Sequence, residues 1–515
     1  MEDYRTASKL IPRNGYMATI DLREAYLLVS IKSSHRKFLR FQFEDENLVK
    51  TLYEFNAMPY GLSIAPRTFS KIMKEVITNL RSRGYKSVIY LDDILCIGKD
   101  YKECLDNVNE TMRLLQCLGF VINYNKSCLG PHISCKYLGF IFDSTELSIS
   151  LPIDKQNHIA HLVQRFSCLT SCSIRDFAHL IGVLTAACPG VKYGWLYTKL
   201  LERQKYLAIL KYKTYNKNIQ LSKDILPDLQ WWRKNVFSTK TSFRITKYNY
   251  EIFTDACLTG WGACCNNIRV GGRWKYNELE YHINYLELLA IFLGIKCFVR
   301  DMSDCNILLR VDNTTAISYI NRMGGIQFPH LNELSRSIWQ WCEKRNIWLH
   351  ASYINSKENF EADQESRKLN LDTEWELSDN AYKEIVQKLG EPEIDLFASR
   401  ANAKCRTYVS WRPDPDALLV DAFTIDWKNK YFYAFPPFSL IIKCLEKITS
   451  DKAEGILVFP YWPSQPWYPM LNNLLRSDIL FFKPHKNLLR SSSRTPHHLH
   501  KQLTLGAARL SGSHL

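Results

Sequence analysis

Three carboxylates near the start of the chain stand at the edges of apolar runs. Asp21 closes YMATID, while Asp92 and Asp93 interrupt VIYLDDILCIG (88–98). Burying a lone carboxylate is costly unless something compensates it. Two readings compete. Asp is a favoured hairpin-turn residue; alternatively, the three acids gather a divalent cation. Mg²⁺ takes oxygen ligands and bridges carboxylates to substrate phosphates. A pair of such ions about 4 Å apart stabilises the attacking and leaving oxygens of a phosphoryl displacement. A second set follows in the later half. Asp255 ends YEIFTD, Glu287 falls in the first turn of NYLELLAIFLGIKCF (284–298), Asp312 follows NILLRV, and Asp363 lies in ENFEADQESR. Each has an ordinary explanation. Asn284 with Glu287 could be a variant capping box, Asp312 an N-cap, Asp255 a turn residue and Asp363 a solvated one. Four coincidences weigh less than one shared metal site.

The elements that must position these acids can be read from periodicity. YMATIDLREAYLLVSI (16–31) reads as a strand ending at Asp21, a turn and a second apolar run. Pro59 and Gly61 break the chain, and Pro66 opens a helix on which Phe69, Ile72, Met73, Val76, Ile77 and Leu80 recur at helical spacing. KSVIY and ILCIG form a hairpin with Asp92 and Asp93 at or near its tip, beside the Asp21 end of the first strand. Residues 150–240 carry helical patterns in which basic and aromatic residues interleave, as at Arg203, Lys205, Tyr206, Lys211 and Tyr212. That suits a groove on a duplex backbone, and an amphipathic surface helix reads the same way. SDNAYKEIVQKLG (378–390) is a helix stopped by Gly390. The segments after it alternate as an α/β layer. The stretch from Lys483 on, with SSSR and PHHLH, reads as a flexible basic tail.

Bulk composition narrows the partners. A chain of 515 residues accommodates about three or four domains. Hydrophobic content of 46% supports real cores, and a net charge of +15 favours an acidic polymer, nucleic acid first. The sixteen cysteines form no CxxC pair and fit a reducing compartment. Cys128, His132 and Cys135 offer three metal ligands without a fourth nearby, so ordinary thiols are the better reading. The start MEDYRTASKL is no signal peptide, and LELLAIFLGIKCFV is too short to span a bilayer. An intracellular protein of cytoplasm or nucleus, neither secreted nor membrane-bound, is expected; oligomeric state is not legible.

The first block resembles a reverse transcriptase palm. The carriers are Asp21 with Tyr26 five residues on, MPYGLSIAP (58–66), YLDD (90–93), LGFVINYNKS (118–127) and YLGF (137–140), in that order. The resemblance implies that Asp21, Asp92 and Asp93 bind Mg²⁺ or Mn²⁺, two ions per site. It implies that Tyr26 gates against a ribose 2′-hydroxyl and that Pro59, Tyr60 and Gly61 lie under the template and nascent pair. Its substrates would be an RNA template, a DNA primer and dNTPs. Only twenty residues precede Asp21, so a fingers subdomain is expected to be missing and polymerisation impaired. The order Asp255, Glu287, Asp312, Asp363 resembles ribonuclease H. That implies a second two-ion site cutting RNA–DNA hybrids. No His-bearing loop precedes Asp363 recognisably, although His350 is near.

Residues 373–482 resemble the module after ribonuclease H in DIRS-type, tyrosine-recombinase-bearing retrotransposons, and distantly adenine-N6 DNA methyltransferases. Where those enzymes carry Asp/Asn-Pro-Pro-Tyr/Phe, this chain has Phe435-Pro436-Pro437-Phe438. A phenylalanine cannot accept a hydrogen bond from the target amino group, so methyl transfer is not expected. The expected fold is therefore a multidomain α+β and α/β chain. Residues 1–148 form a ferredoxin-like palm, 149–247 a helical thumb and connection, and 248–372 a ribonuclease H-like domain. Residues 373–482 form a degenerate methyltransferase-like α/β module, and 483–515 a basic tail. The resemblance implies an N-terminally truncated retroelement polyprotein with polymerase and ribonuclease H chemistry. The alternative is a non-catalytic nucleic-acid-binding protein, a decayed or domesticated fragment.

Overall fold

The computed structural model describes residues 2–44, 46, 48–243, 247–368, 375–490 and 497–513. The SSSR run and the boundary expected at 372/373 lie outside them. The chain is mixed α/β and divides into two compact units, Met1–Thr246 and Lys247–Leu515.

The first unit is built on β1 (Tyr16–Arg23), the hairpin β2 (Arg40–Glu44) and β3 (Lys50–Glu54), α1 (Ala65–Ser82), β4 (Lys86–Tyr90), β5 (Asp93–Gly98), α2 (Tyr101–Cys117), β6 (Val121–Ile122) and β7 (Cys128–His132). The main sheet runs β4-β5-β1-β6, with β7 also on β1, and every pairing is antiparallel. Helices α1 and α2 bury one apolar stripe each against it. Phe69, Met73, Val76, Ile77 and Leu80 share a core with Ala18, Ile20, Ile94, Val108 and Leu115. The i, i+4, i+7, i+8, i+11 spacing on α1 is what makes that stripe continuous. The β2–β3 hairpin is exposed along both strands. Four further helices follow, α3 (Ile153–Ser167), α4 (Ile174–Ala187), α5 (Lys199–Tyr212) and α6 (Leu226–Asn235).

The second unit opens with β8 (Tyr250–Ala256), β9 (Gly260–Cys265), β10 (Ile268–Arg273), α7 (Ile283–Val299), β11 (Asn306–Val311), α8 (Thr314–Asn321), α9 (Pro329–Glu343), β12 (Trp348–Tyr353) and α10 (Phe360–Arg367). The five strands run β10-β9-β8-β11-β12, antiparallel on one side of β8 and parallel on the other. Helix α10 lies on β9 and β10 because three positions there, Gly260, Gly262 and Gly271, lack a side chain. A Cβ at Gly262 would meet Ala362 O at 2.2 Å and Ser366 N at 2.5 Å, and one at Gly271 would meet Glu365 O at 3.0 Å.

A seven-stranded sheet completes this unit. It comprises α11 (Asp379–Leu389), β13 (Ile394–Asp395), β14 (Thr407–Ser410), β15 (Leu419–Val420), β16 (Phe432–Ala434), α12 (Ile441–Asp451), β17 (Glu454–Pro460), α13 (Tyr468–Leu474), β18 (Leu480–Phe482) and β19 (Leu505–Ser511), with strand order β15-β14-β13-β16-β17-β19-β18. The expectation of a basic tail from 483 on needs revision. Residues 505–511 form an inner strand, antiparallel to both β17 and β18, with Leu505, Ala507, Ala508 and Leu510 fully buried. The small residues of LGAARL fit tightly there: a Cβ at Gly506 would meet the Phe459 ring at 2.8 Å. Among the described residues no helix is long and apolar enough to cross a membrane.

Candidate active site

In the first unit, Asp21 and Asp93 stand directly opposite each other on β1 and β5. The turn between β4 and β5 is Leu91-Asp92, with Leu91 held at φ 55°. A branched side chain in that left-handed region costs on the order of 1 kcal/mol, so the surrounding contacts must fix the turn. They include Leu22 N–H donating to Asp92 O (3.0 Å) and the Tyr137 hydroxyl reaching Val88 O (3.3 Å) and Asp93 O (3.4 Å). Asp21 N–H donates to Ser127 Oγ (3.0 Å). Like charges placed opposite in a sheet repel. Burial, then the Asp92 and Asp21 charges, push the Asp93 carboxyl up to about 6, against the pull of Lys126.

Tyr26 lies on a 3₁₀ turn (Ala25–Leu28), with its ring between Tyr60 (5.4 Å) and Phe69 (5.3 Å). Burial and the Asp92 charge raise its phenol above the ordinary value. Tyr60 is exposed, and Gly61 adopts φ 85°, a conformation that suits glycine. Pro59 precedes them on the same loop.

The second acidic cluster is tighter. One carboxylate oxygen from each of Asp255, Glu287 and Asp312 lies within 4.8 Å of the others. Among the described residues Asp21, Asp92 and Asp93 do not close to that distance. Asp255 comes from the end of β8, Glu287 from the first turns of α7, and Asp312 from the residue after β11. Parallel pairing of β8 with β11 brings the two aspartates to the same sheet end. Asp312 is not the N-cap of α8. Asn313 takes that role, accepting from Ala316 N–H at 3.0 Å, which leaves the Asp312 carboxylate to accept from Ser356 Oγ at 2.6 Å. Likewise α7 is capped by His282 rather than by Asn284, and Asn284 instead accepts from Asn313 Nδ2 at 3.0 Å. Neither capping explanation therefore accounts for the acids.

Glu287 is 5% exposed and its Oε2 has no hydrogen-bond partner among the described residues. Burial first, then the charges of Asp255 and Asp312, push it up to about 9. Asp255 accepts from Ser366 Oγ at 2.7 Å and is raised to about 6, mainly by burial. A cluster of three acids with an orphaned buried oxygen fits a divalent cation.

Asp363 stands apart from that triad. It adds to the charge felt by Asp255, yet its carboxylate is held by Arg367 (2.7 and 2.8 Å) one turn along α10. His350 is exposed and stacks on Tyr248 at 6.3 Å. The FPPF segment directly follows β16, at the carboxyl end of a parallel strand. Two supporting residues carry no sequence signal of their own: Ser356 and Ser366 are ordinary residue types whose partners lie 44 positions or more away. Tyr137, by contrast, opens the YLGF motif. Asp395 was not singled out from the sequence, although an acid set between the apolar residues of EIDLF is a signal that could have found it. It is 2% exposed, accepts from Phe397 N–H and Lys404 N–H (3.2 and 3.0 Å), and is raised to about 6 by burial.

Residues 2–142 match the family described as reverse transcriptase (RNA-dependent DNA polymerase). The chain is 22% identical over 390 residues to the putative enzymatic polyprotein of Cassava vein mosaic virus, covering 70% of this chain and 54% of that protein. It is 25% identical over 335 residues to the enzymatic polyprotein of Cauliflower mosaic virus (strain D/H), covering 62% and 46%. The chain thus spans about half the length of the curated relatives it matches. Among solved structures it is similar to a foamy viral protease-reverse transcriptase in complex with RNA/DNA hybrid. That match has 13% identity and a TM-score of 0.41, covering 68% of this chain and 46% of that one. Residues 2–142 carry a reverse transcriptase domain.

Proposed function

We propose that this chain copies RNA into DNA and also cuts the RNA strand of RNA–DNA hybrids, both by cation-dependent phosphoryl transfer. The observation that carries the second activity is the Asp255–Glu287–Asp312 cluster with its unsatisfied Glu287 oxygen. Asp21, Asp92 and Asp93 would hold Mg²⁺ or Mn²⁺ in the polymerase site, and Asp255, Glu287, Asp312 and Asp363 in the cleavage site, two ions in each. Bound cations supply Lewis-acid neutralisation of charge developing on phosphate oxygens.

The chain's own residues orient and select. Ser366 and Ser356 fix the rotamers of Asp255 and Asp312 through their hydroxyls. Asp363, held by Arg367 in this structure, would join the second set when a cation is bound. Tyr26, braced by Tyr60 and Phe69, presents a bulky wall to a ribose 2′-hydroxyl, and Pro59, Tyr60 and Gly61 support the template and nascent pair. The substrates on this reading are an RNA template, a DNA primer, dNTPs and the hybrid they produce.

The finer lineage, a DIRS-type element with a methyltransferase-like module after ribonuclease H, is supported by the placement of FPPF after a parallel strand. Phe435 still lacks an acceptor for the amino group, so that module is assigned no methyl transfer. The polymerase reading is tested by primer extension on an RNA template with Mg²⁺. Whatever extension the parent supports is expected to be lost in Asp93→Asn and in chelator; extension unchanged by Asp93→Asn would refute the assignment of that site.

A further inference from the structure

A cavity of about 910 Å³ in the second unit belongs to neither acidic site. Its walls come from two sheets. Trp261, Gly272 and Arg273 belong to β9 and β10, while Phe397, Arg400, Trp411, Phe438 and Trp462 come from the seven-stranded sheet and its loops. Loops at the carboxyl ends of parallel strands β13 and β16 form much of the lining, the usual location of ligands in open α/β sheets.

One wall group is chemically unfinished. Arg273 is 6% exposed, and its Nη1 donates to Thr259 O at 3.2 Å. Its Nη2 is buried with no hydrogen-bond partner among the described residues. A buried guanidinium nitrogen without an acceptor is strongly unfavourable unless a ligand completes it. The neighbouring Arg400 is already satisfied, because its guanidinium forks onto Glu278, itself largely buried. This pair instead ties the two sheets together around the cavity, with Lys296–Asp416 at 2.9 Å and Arg300 Nη1 to Ala417 O at 2.6 Å reinforcing it.

The remaining wall is aromatic. Phe438 meets Trp462 edge-on at 5.4 Å, while Trp411 stands 58% exposed at the rim. A cavity combining aromatic faces with a cationic donor suits a planar base bearing a phosphate. The base gains by stacking and the guanidinium by a charge-assisted contact.

We propose that this composite cavity binds a nucleotide, with its phosphate on Arg273 and its base among the aromatic side chains. The nucleotide is either free or the terminal residue of a single strand; the recognising chemistry is shared. The site rests on neither catalytic reading, since none of the seven acids lines it.

The test uses the full chain, with tryptophan fluorescence titrated by AMP, by adenosine and by a 5′-phosphorylated oligo(dA) ten-mer. Saturable binding of AMP or of the ten-mer is expected. Arg273→Met should weaken it about tenfold or more, the scale of one lost charge-assisted contact. Adenosine, lacking the phosphate, should bind correspondingly more weakly than AMP. Trp411→Ala, at an exposed position where folding is not at stake, should also weaken binding, while Asp312→Asn should leave it unchanged. AMP saturating as tightly as the ten-mer identifies a free nucleotide. A ten-mer that binds at least tenfold tighter and remains sensitive to both cavity variants identifies a strand end. Absence of saturable AMP binding, together with ten-mer binding indifferent to Arg273→Met and Trp411→Ala, would overturn the proposal.

Discussion

Glu287 concentrates the physical argument at the scale of single residues. It is buried, close to two other carboxylates, and has one oxygen without a partner among the described residues. Its carboxyl and that of Asp255 titrate higher in the folded chain than when exposed, at about 9 and about 6. Such groups favour the fold fully at low pH, and that contribution is lost as pH rises through the folded values. In chelator, unfolding free energy is therefore expected to decline from pH 5 to pH 9 through these groups. Glu287→Gln should flatten that decline, and Mg²⁺ should stabilise the parent more at pH 8 than at pH 5. Denaturant melts across that range check it; a Glu287→Gln profile parallel to the parent's would contradict it. Six of the seven acids were legible in the sequence because each interrupts or ends an apolar pattern, whereas Asp363, in the polar ENFEADQESR, was reached only through the order of the ribonuclease H-like set. Their hydroxyl partners were not, because nothing local marks Ser356 or Ser366 as facing an aspartate far away in sequence. The capping alternatives for Asp312 and Glu287 could be weighed only once Asn313 and His282 were seen to occupy those roles.

At the scale of elements, helix α10 shows how position is enforced. It carries Asp363 and Ser366, and it reaches the sheet only because Gly260, Gly262 and Gly271 offer bare backbone. Gly262→Ala should destabilise the second unit by about 1–3 kcal/mol, the usual scale for overpacking. It should also lower cleavage by displacing Ser366 from Asp255. Thermal unfolding and hybrid cleavage measured together check this; a neutral substitution would show that α10 is not held as described. The strands and helices around the acids follow periodicity well, notably β1, α1, β5 and α7. What periodicity missed is β19. Its Gly-Ala-Ala centre is too small to signal a buried strand, and Ser- and His-rich flanks dilute the apolar pattern. Its neighbours, β17 and β18, supply the burial that its own sequence does not advertise.

For the whole molecule, composition and charge pointed to nucleic acid, and the order of motifs to two chemistries on one chain. The two acidic sets lie in separate compact units, each with its own core. Their activities should therefore be separable. Asp93→Asn should remove primer extension and spare hybrid cleavage, whereas Asp312→Asn should do the reverse. Primer extension and hybrid cleavage assayed side by side in both variants check this, and joint loss in either variant would argue for one interdependent site. The most direct measurement is the Mg²⁺-dependent rate at which the purified chain hydrolyses the RNA strand of an RNA–DNA hybrid, compared between parent and Asp312→Asn. Cleavage by the parent and a fall of at least ~100-fold in the variant are expected, the scale seen when a group central to transition-state electrostatics is removed. No cleavage by the folded parent, or an equal rate in the variant, would contradict the cleavage assignment.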